Sequence, residues 1–570
     1  MNTSRLFILL RRSVGPRVLS RSPIFITDNQ QNQKCFSFLL CRSTLSSRSR
    51  NGFDVCNCKF SSSYSTRSAS TSSYDNLCNL FQEIDHRLDL AERSYVNKSA
   101  NDGHTEGSSY RNISTANLSS DFCRAYIALP HISVSSWRGG DSSVKNHFLD
   151  FLLKSKYGID ENGLASAINN SLHHHEQGDG GSERISYKTI QRIRQLCTPR
   201  YERIFQYILG SANQDLGVAF LVKLRQDIRD WLRLSSQRDQ QSPQPDLSKL
   251  RAIERDIQTI LTSLFRPGVL NLQQITYDKT PASIIEQIAF KEAVHPLQSL
   301  NDLRTRLGPG RRCYAFFHPA LPNRPLVFVH VALLQSIPES MTDLQESTRK
   351  IVDGNHLESE ATCATFYSIT NSEPGLVGVD LGNHLIKSVV RVLKNEFVAL
   401  DTFCTLSPIP NFRRWLQDKI ERTTASDKFM DANLFTEGDL QKIENLLPSS
   451  DQAPLDSLLG YLKDPHWHNV SDETTAKLKP LLLKLAAYYL SIEKHHGRPL
   501  CPVAKFHIRN GAEMYRLNYL GDTTAKGVRS SCGIMINYRY SLEQLEENHV
   551  NYERTGEIIV RDGVSCWLSR

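Results

Sequence analysis

Apolar positions recur along this chain at two periods. From about Asn76, residues Leu77, Leu80, Phe81, Ile84, Leu88 and Leu90 recur in a helical pattern read as one face. The same spacing runs through 144–156, 185–197, 200–209, 214–234 and 246–265, and predicts an all-helical bundle over roughly 76–265. The polar run 97–120 reads as a loop. So does the tract His173-His174-His175 beside Gly178, Gly180 and Gly181, where a solvated loop is favoured over a metal site. Arg266-Pro267-Gly268 then punctuates the chain. Beyond it, strands are expected at 269–275, 313–317, 326–334, 361–370, 396–406, 504–509, 514–519 and 532–540, with helices at 281–292 and 381–393. A helical insert fills 410–496, and an acidic tail with Glu543, Glu546, Glu547 and Glu553 reads as surface helix and loop. Helices first and a mixed α/β pattern afterwards give an α+β/α/β chain. Its divisions are 1–74, a helical domain at 75–267 and a second domain at 268–570.

The pattern is densest over 361–393. A β-branched and aromatic run without Gly or Pro, 361–370, leads into Pro374-Gly375-Leu376-Val377-Gly378-Val379-Asp380-Leu381-Gly382-Asn383. There Leu381, Leu385, Ile386, Val389, Val390 and Leu393 take up helical spacing. Strand, glycine-bearing turn and helix in that order make an anion site, because the first amides of a helix lack internal partners. Glycines let phosphates approach the backbone. The plain alternative is a tight turn.

Charge changes the picture at the N-terminus only. The formal net charge is +8, but residues 1–74 hold eleven Lys and Arg against Asp28 and Asp54, so that tract carries about +9 and the remainder is near neutral. A basic face for nucleic acid is therefore not expected. The tract is Arg-rich, Ser-rich and poor in acids, as organellar transit peptides are. A disordered basic tail is the alternative. The thirteen cysteines form no C-x-x-C pair and no zinc spacing, and they read as reduced thiols. No apolar run reaches 18 residues, so no membrane-spanning helix is expected.

Four blocks around the 361–393 segment carry a family resemblance. They are Pro325 to Leu333, Phe403-Cys404-Thr405-Leu406-Ser407-Pro408-Ile409-Pro410-Asn411-Phe412 to Leu416, Pro502 to Ala512, and Ser531 to Tyr540. In this order they resemble the malonyl-CoA decarboxylases, densely from about Gly268 to Tyr540. The resemblance implies an acetyltransferase-like catalytic domain of the Gcn5-related kind and a helical domain supporting a homo-oligomer, a tetramer in the family. It also implies malonyl-CoA as substrate. Ser407 and His507 match the family's catalytic serine and histidine, and Ser368 and Tyr540 match further active-site positions. Val377, Gly378, Val379, Asp380, Leu381, Gly382 and Asn383 match its coenzyme A segment. A carboxylate at Asp380 would repel a pyrophosphate, so it is expected to point away from the phosphates. The family more usually carries Glu here, with an active-site role; an acid favoured by the helix dipole is the alternative. Read from residues alone, Ser407 ends a strand before Pro408-Ile409-Pro410, a rigid turn that holds its hydroxyl in place, with a helix N-cap before Phe412 as the alternative. His507 reads as a structural strand histidine alternating with Phe506 and Ile508. The resemblance makes the pair an acid–base pair, with His507 a general acid near neutral pH. Decarboxylation of a malonyl thioester needs no metal or other cofactor, because the thioester carbonyl accepts the electrons. Mitochondrial import follows from the tract at 1–74, and the matrix is the expected address ahead of peroxisome or cytoplasm. The competing readings are a coenzyme A-dependent acyltransferase on the same fold and a non-catalytic helical scaffold.

Overall fold

The helical period is realised as eight helices before residue 268 among the described residues, which in this computed structural model are 71–101, 113–129, 144–176, 187–235, 246–354, 358–425, 434–447 and 453–568. Residues 1–70 of the basic tract 1–74, with its expected organellar address, lie outside them, and 71–74 begin the first helix. The helices are α1 (Thr71–Asn101), α2 (Ile113–Ala128), α3 (Val144–Leu152), α4 (Glu161–Glu176), α5 (Tyr187–Cys197), α6 (Arg200–Ser211), α7 (Gln214–Ser235) and α8 (Leu247–Leu264). Two expectations fail here. Residues 97–101 and 113–120, read as loop, are helical, and His173-His174-His175 fall within α4. In both cases polar sequence adopts helix where the chain around it packs helically, since propensity is a weak prior beside tertiary context. The centre of the bundle is α7, which packs on α2, α6 and α8. Its Phe220 meets Phe122 at 5.1 Å in an edge-on contact, and Phe122 in turn leans on Phe81 at 5.5 Å.

After residue 268 come β1 (Asn271–Ile275), α9 (Ala282–Lys291), α10 (Leu300–Arg306), β2 (Arg311–Phe317), β3 (Val327–Leu334) and α11 (Met341–Val352). Then follow β4 (Cys363–Asn371), α12 (Leu381–Glu396), β5 (Thr402–Thr405) and β6 (Ser407–Pro408). The insert holds α13 (Phe412–Ala425), α14 (Glu437–Leu446), α15 (Pro454–Lys463) and α16 (Asp472–Ser491), with a small hairpin of β7 (Lys494–His495) and β8 (Arg498–Pro499). The last elements are α17 (Pro502–Arg509), β9 (Glu513–Asn518), α18 (Ala525–Ser531), β10 (Met535–Arg539), α19 (Leu545–Thr555), β11 (Val560–Arg561) and α20 (Asp562–Leu568). Nine strands form one sheet in the order β1-β2-β3-β4-β5-β10-β9-β11, with β6 beside β10. The pairs from β1 to β4 are antiparallel, and β4 with β5 is parallel. All eight residues of β3 are buried, and apart from His330 they are apolar. All six apolar residues of the 381–393 pattern are buried on α12, which packs on β2 and β3.

The strand expected at 504–509 is instead α17. Pro502 opens it at a position where the missing N–H costs nothing. Its buried residues Ala504, His507 and Ile508 sit at helical spacing, so the apparent alternation around Phe506 was a coincidence of a short segment. The strand expected from 532 begins only at Met535, because Cys532 (φ 52°) and Gly533 (φ 75°) are left-handed and end α18.

Candidate active site

The site forms where the sheet opens. Strands β4 and β5 pair in register from Cys363 with Thr402 to Phe366 with Thr405. Past that point the chain leaves β4 and crosses to β10, where Ser407 lies opposite Ile536 and Pro408 opposite Met535. Pro408 and Pro410 have no N–H with which to continue a ladder to β4. The gap is a cavity of about 390 Å³, lined by Phe366, Ser368, Ser407, Phe506 and His507 together with Gly378, Val379, Asp380 and Gly382.

On one wall, α17 carries His507 inward. Its Nε2 lies 3.3 Å from Ser407 Oγ and its Nδ1 2.7 Å from Tyr540 Oη. Ser407 Oγ donates to Thr405 Oγ1 at 2.9 Å, and Thr405 Oγ1 accepts the Tyr538 amide at 3.1 Å. The Tyr538 ring stacks on the imidazole at 4.6 Å. His507, Ser407 and Tyr540 are all buried. Burial disfavours the imidazolium and lowers the His507 pKa to about 3, while burial raises the Tyr540 phenol well above its usual range. Burial thus favours the uncharged form of both groups, against the expectation of a histidine titrating near neutrality.

The opposite wall is formed by the 377–383 segment, to which the sequence resemblance assigns coenzyme A. Gly378, Val379, Asp380 and Gly382 face the cavity. Val377 is turned to solvent, and Leu381 is in the core. Asp380 occupies the N-cap position of α12 but makes no capping bond; its Oδ2 accepts from Asn383 Nδ2 at 3.1 Å. The first amides of α12 are thus left without a side-chain cap, beside the cavity.

Ser368 reaches the cavity from β4, but its hydroxyl is engaged from behind. It donates to Glu292, lying 2.8 Å from each carboxylate oxygen. Glu292 is buried and also accepts the amides of Val294 at 2.8 Å and His295 at 3.0 Å. His330 Nε2 lies 3.5 Å from the same carboxylate, and burial lowers that histidine's pKa to about 3. Sequence reasoning missed Glu292 and assigned no role to His330. Glu292 ends a helix 76 residues before its partner Ser368, and no local spacing signals the contact. Arg509 and Asn371 also line the cavity without having been singled out.

The family profile described as the malonyl-CoA decarboxylase C-terminal domain matches residues 268–570, and that of the N-terminal domain matches 157–265. The chain is 35% identical over 445 residues to the mitochondrial malonyl-CoA decarboxylase of Anser anser anser, covering 77% of this chain and 82% of that one. It is 34% identical over 400 residues to the mitochondrial malonyl-CoA decarboxylase of Mus musculus, covering 70% and 77%. Among solved structures, malonyl-CoA decarboxylase from Rhodopseudomonas palustris matches with a TM-score of 0.62 at 30% identity, over 86% of this chain and 98% of that one. The enzyme from Agrobacterium vitis matches with a TM-score of 0.63 at 30% identity, over 81% and 97%.

Proposed function

The chain belongs to the malonyl-CoA decarboxylase family, and from that premise we propose that the cavity between Ser407 and the 377–383 loop converts malonyl-CoA to acetyl-CoA and CO₂. The observation that carries the reading is the hydrogen-bonded row Ser407, His507, Tyr540 along one wall of a cavity whose other wall is the coenzyme loop. The bond from Cα to the carboxylate carbon breaks, its electron pair moves into the thioester carbonyl, and CO₂ leaves an enolate. That enolate needs a proton at carbon. Tyr540 keeps its proton and donates it to Nδ1, which leaves Nε2–H directed at Ser407 Oγ. Ser407 turns its hydroxyl from Thr405 to the acyl group and passes its proton to carbon; Nε2–H replaces it as Nδ1 takes the Tyr540 proton, and water returns a proton to Tyr540 after acetyl-CoA leaves. His507 thus supplies the proton as a neutral relay. Ser368, with its own proton held by Glu292, offers an oxygen to amide N–H groups of the substrate's arm.

The uncapped start of α12 and Gly378 receive the coenzyme's phosphates. The acetyltransferase-like reading of 268–570 is supported by the strand–loop–helix at β4 and α12 beside a parallel pair that opens. The helical domain at 75–267 serves a homo-oligomer, a tetramer by analogy with the family. The matrix of mitochondria is the proposed address, supported by the names of the animal relatives. No described helix is long and apolar enough to cross a membrane. Incubating the purified full chain with malonyl-CoA and quantifying products tests the reaction: acetyl-CoA and CO₂ should appear in equal amounts. Free coenzyme A with malonate, or acetyl transfer to an added amine without CO₂, would overturn it.

A further inference from the structure

The loop that lines the cavity is held from the side of the helical domain. Arg225 of α7 is completely buried, and its Nη1 donates to the Gly375 carbonyl at 2.6 Å. Its Nη2 is held by Glu254 of α8 at 2.8 Å, which fixes the fork in place. One helical turn further along α8, Gln258 Nε2 donates to the Gly378 carbonyl at 2.9 Å. Two glycines make this approach feasible. A Cβ on Gly375 would lie 2.0 Å from the Val222 carbonyl oxygen of α7. Gly378 has φ +88°, and a Cβ there would meet Gln258 Nε2 at 3.0 Å. The far end of the loop is held differently, by Phe506 of α17 packed where Gly382 has no side chain. The loop is therefore gripped between the helical domain and the helix that carries His507.

We propose that Arg225 and Gln258 are positioning residues for substrate binding: α7 and α8 set the course of the 375–382 backbone and so aim its amides and Asp380 into the cavity. This rests on the reading of that loop as the coenzyme segment. It gives the helical domain a part in the site beyond support of an assembly.

Gln258 is only partly buried, so it can be changed without endangering the fold. Gln258→Glu removes the donor and turns an anion toward the Gly378 carbonyl, whereas Gln258→Lys keeps a donor. In the full chain, Gln258→Glu should raise KM for malonyl-CoA and Kd for free coenzyme A by about three- to tenfold, the worth of one hydrogen bond. Its kcat should stay within about twofold, with Gln258→Lys near wild type in all three. Amide hydrogen exchange over 376–382 should quicken in Gln258→Glu alone, a readout independent of turnover. Arg225→Lys, which can serve Gly375 or Glu254 but not both, should shift KM in the same direction and further. Unchanged KM, Kd and exchange in Gln258→Glu would overturn the proposal. A wild-type chain that turns over malonyl-CoA with 376–382 unprotected on coenzyme A binding would instead overturn the reading of the loop, and the proposal with it.

Discussion

His507 is buried and packed against Tyr538, stacked at 4.6 Å, and Phe506, edge-on at 5.0 Å, which disfavours an imidazolium there. A group held neutral to about pH 3 does not change state across the physiological range. The kcat of the wild type should accordingly be flat from pH 6 to 8. An inflection near 6.5 that disappears in His507→Asn would mean that the imidazolium, and not the neutral ring, gives up the proton. Replacing Ser407 by Ala, or His507 by Asn, should lower kcat by about 10²–10⁴ each, the usual worth of one acid–base partner. Because the 3.3 Å contact makes them one unit, the double variant should be scarcely slower than the poorer single one. Nearly additive losses accompanied by lower melting temperatures would assign both residues to structure instead.

At the level of elements, the question is what Asp380 does at the start of α12. It stands at the N-cap but bonds Asn383 Nδ2 and caps no amide. Asp380→Asn should therefore cost less than the roughly 1 kcal/mol of a lost cap. It should lower turnover while leaving coenzyme A affinity within a few-fold, as melts and kinetics on one preparation would record. Tighter coenzyme binding with unchanged turnover would show that the carboxylate faces the phosphates. That strand, loop and helix were legible because each is specified locally: an apolar run for β4, glycines for the turn, and six apolar residues at helical spacing for α12. The element bearing His507 was not. Over eight residues the periods of strand and helix both fit, and only Pro502 at its start and the left-handed Gly511 (φ 80°) past its end favour helix. Position in the site was harder still. The opening between β4 and β5 depends on where β5 turns toward β10, a pairing of residues some 130 positions apart that no local pattern encodes. Glu292 and Arg225 are of the same kind, since their partners are 76 and 150 residues away.

Across the whole molecule, one buried apolar cluster runs from Leu77 of α1 to Val564 of α20, joining the helical domain to the sheet. The described residues belong to a single compact unit, Thr66–Arg570. A continuous core of this kind should unfold together, and differential scanning calorimetry should show one transition. Two separated transitions would mean that the helices and the sheet melt independently. Buried histidines, His507 and His330 foremost, then couple that transition to pH. His507 and His330 both have pKa values of about 3 in the folded chain, below the 6.5 expected once unfolded. As pH falls, the unfolded chain takes up these protons first, so the stability they contribute is complete above about pH 7. It is lost progressively as pH drops through 6.5 toward 3. At pH 5 the loss is about 2 kcal/mol for each, a substantial part of the 5–15 kcal/mol typical of a folded chain. Carboxylates contribute little to the slope between pH 6.5 and 5, since their ordinary pKa values lie near 4. The melting temperature should therefore fall steeply over that interval. His330→Phe, which keeps a ring against Tyr367 but cannot bind a proton, should reduce the proton uptake on unfolding by about one. A slope identical to that of the wild type would mean that His330 is already protonated in the folded chain and paired with Glu292.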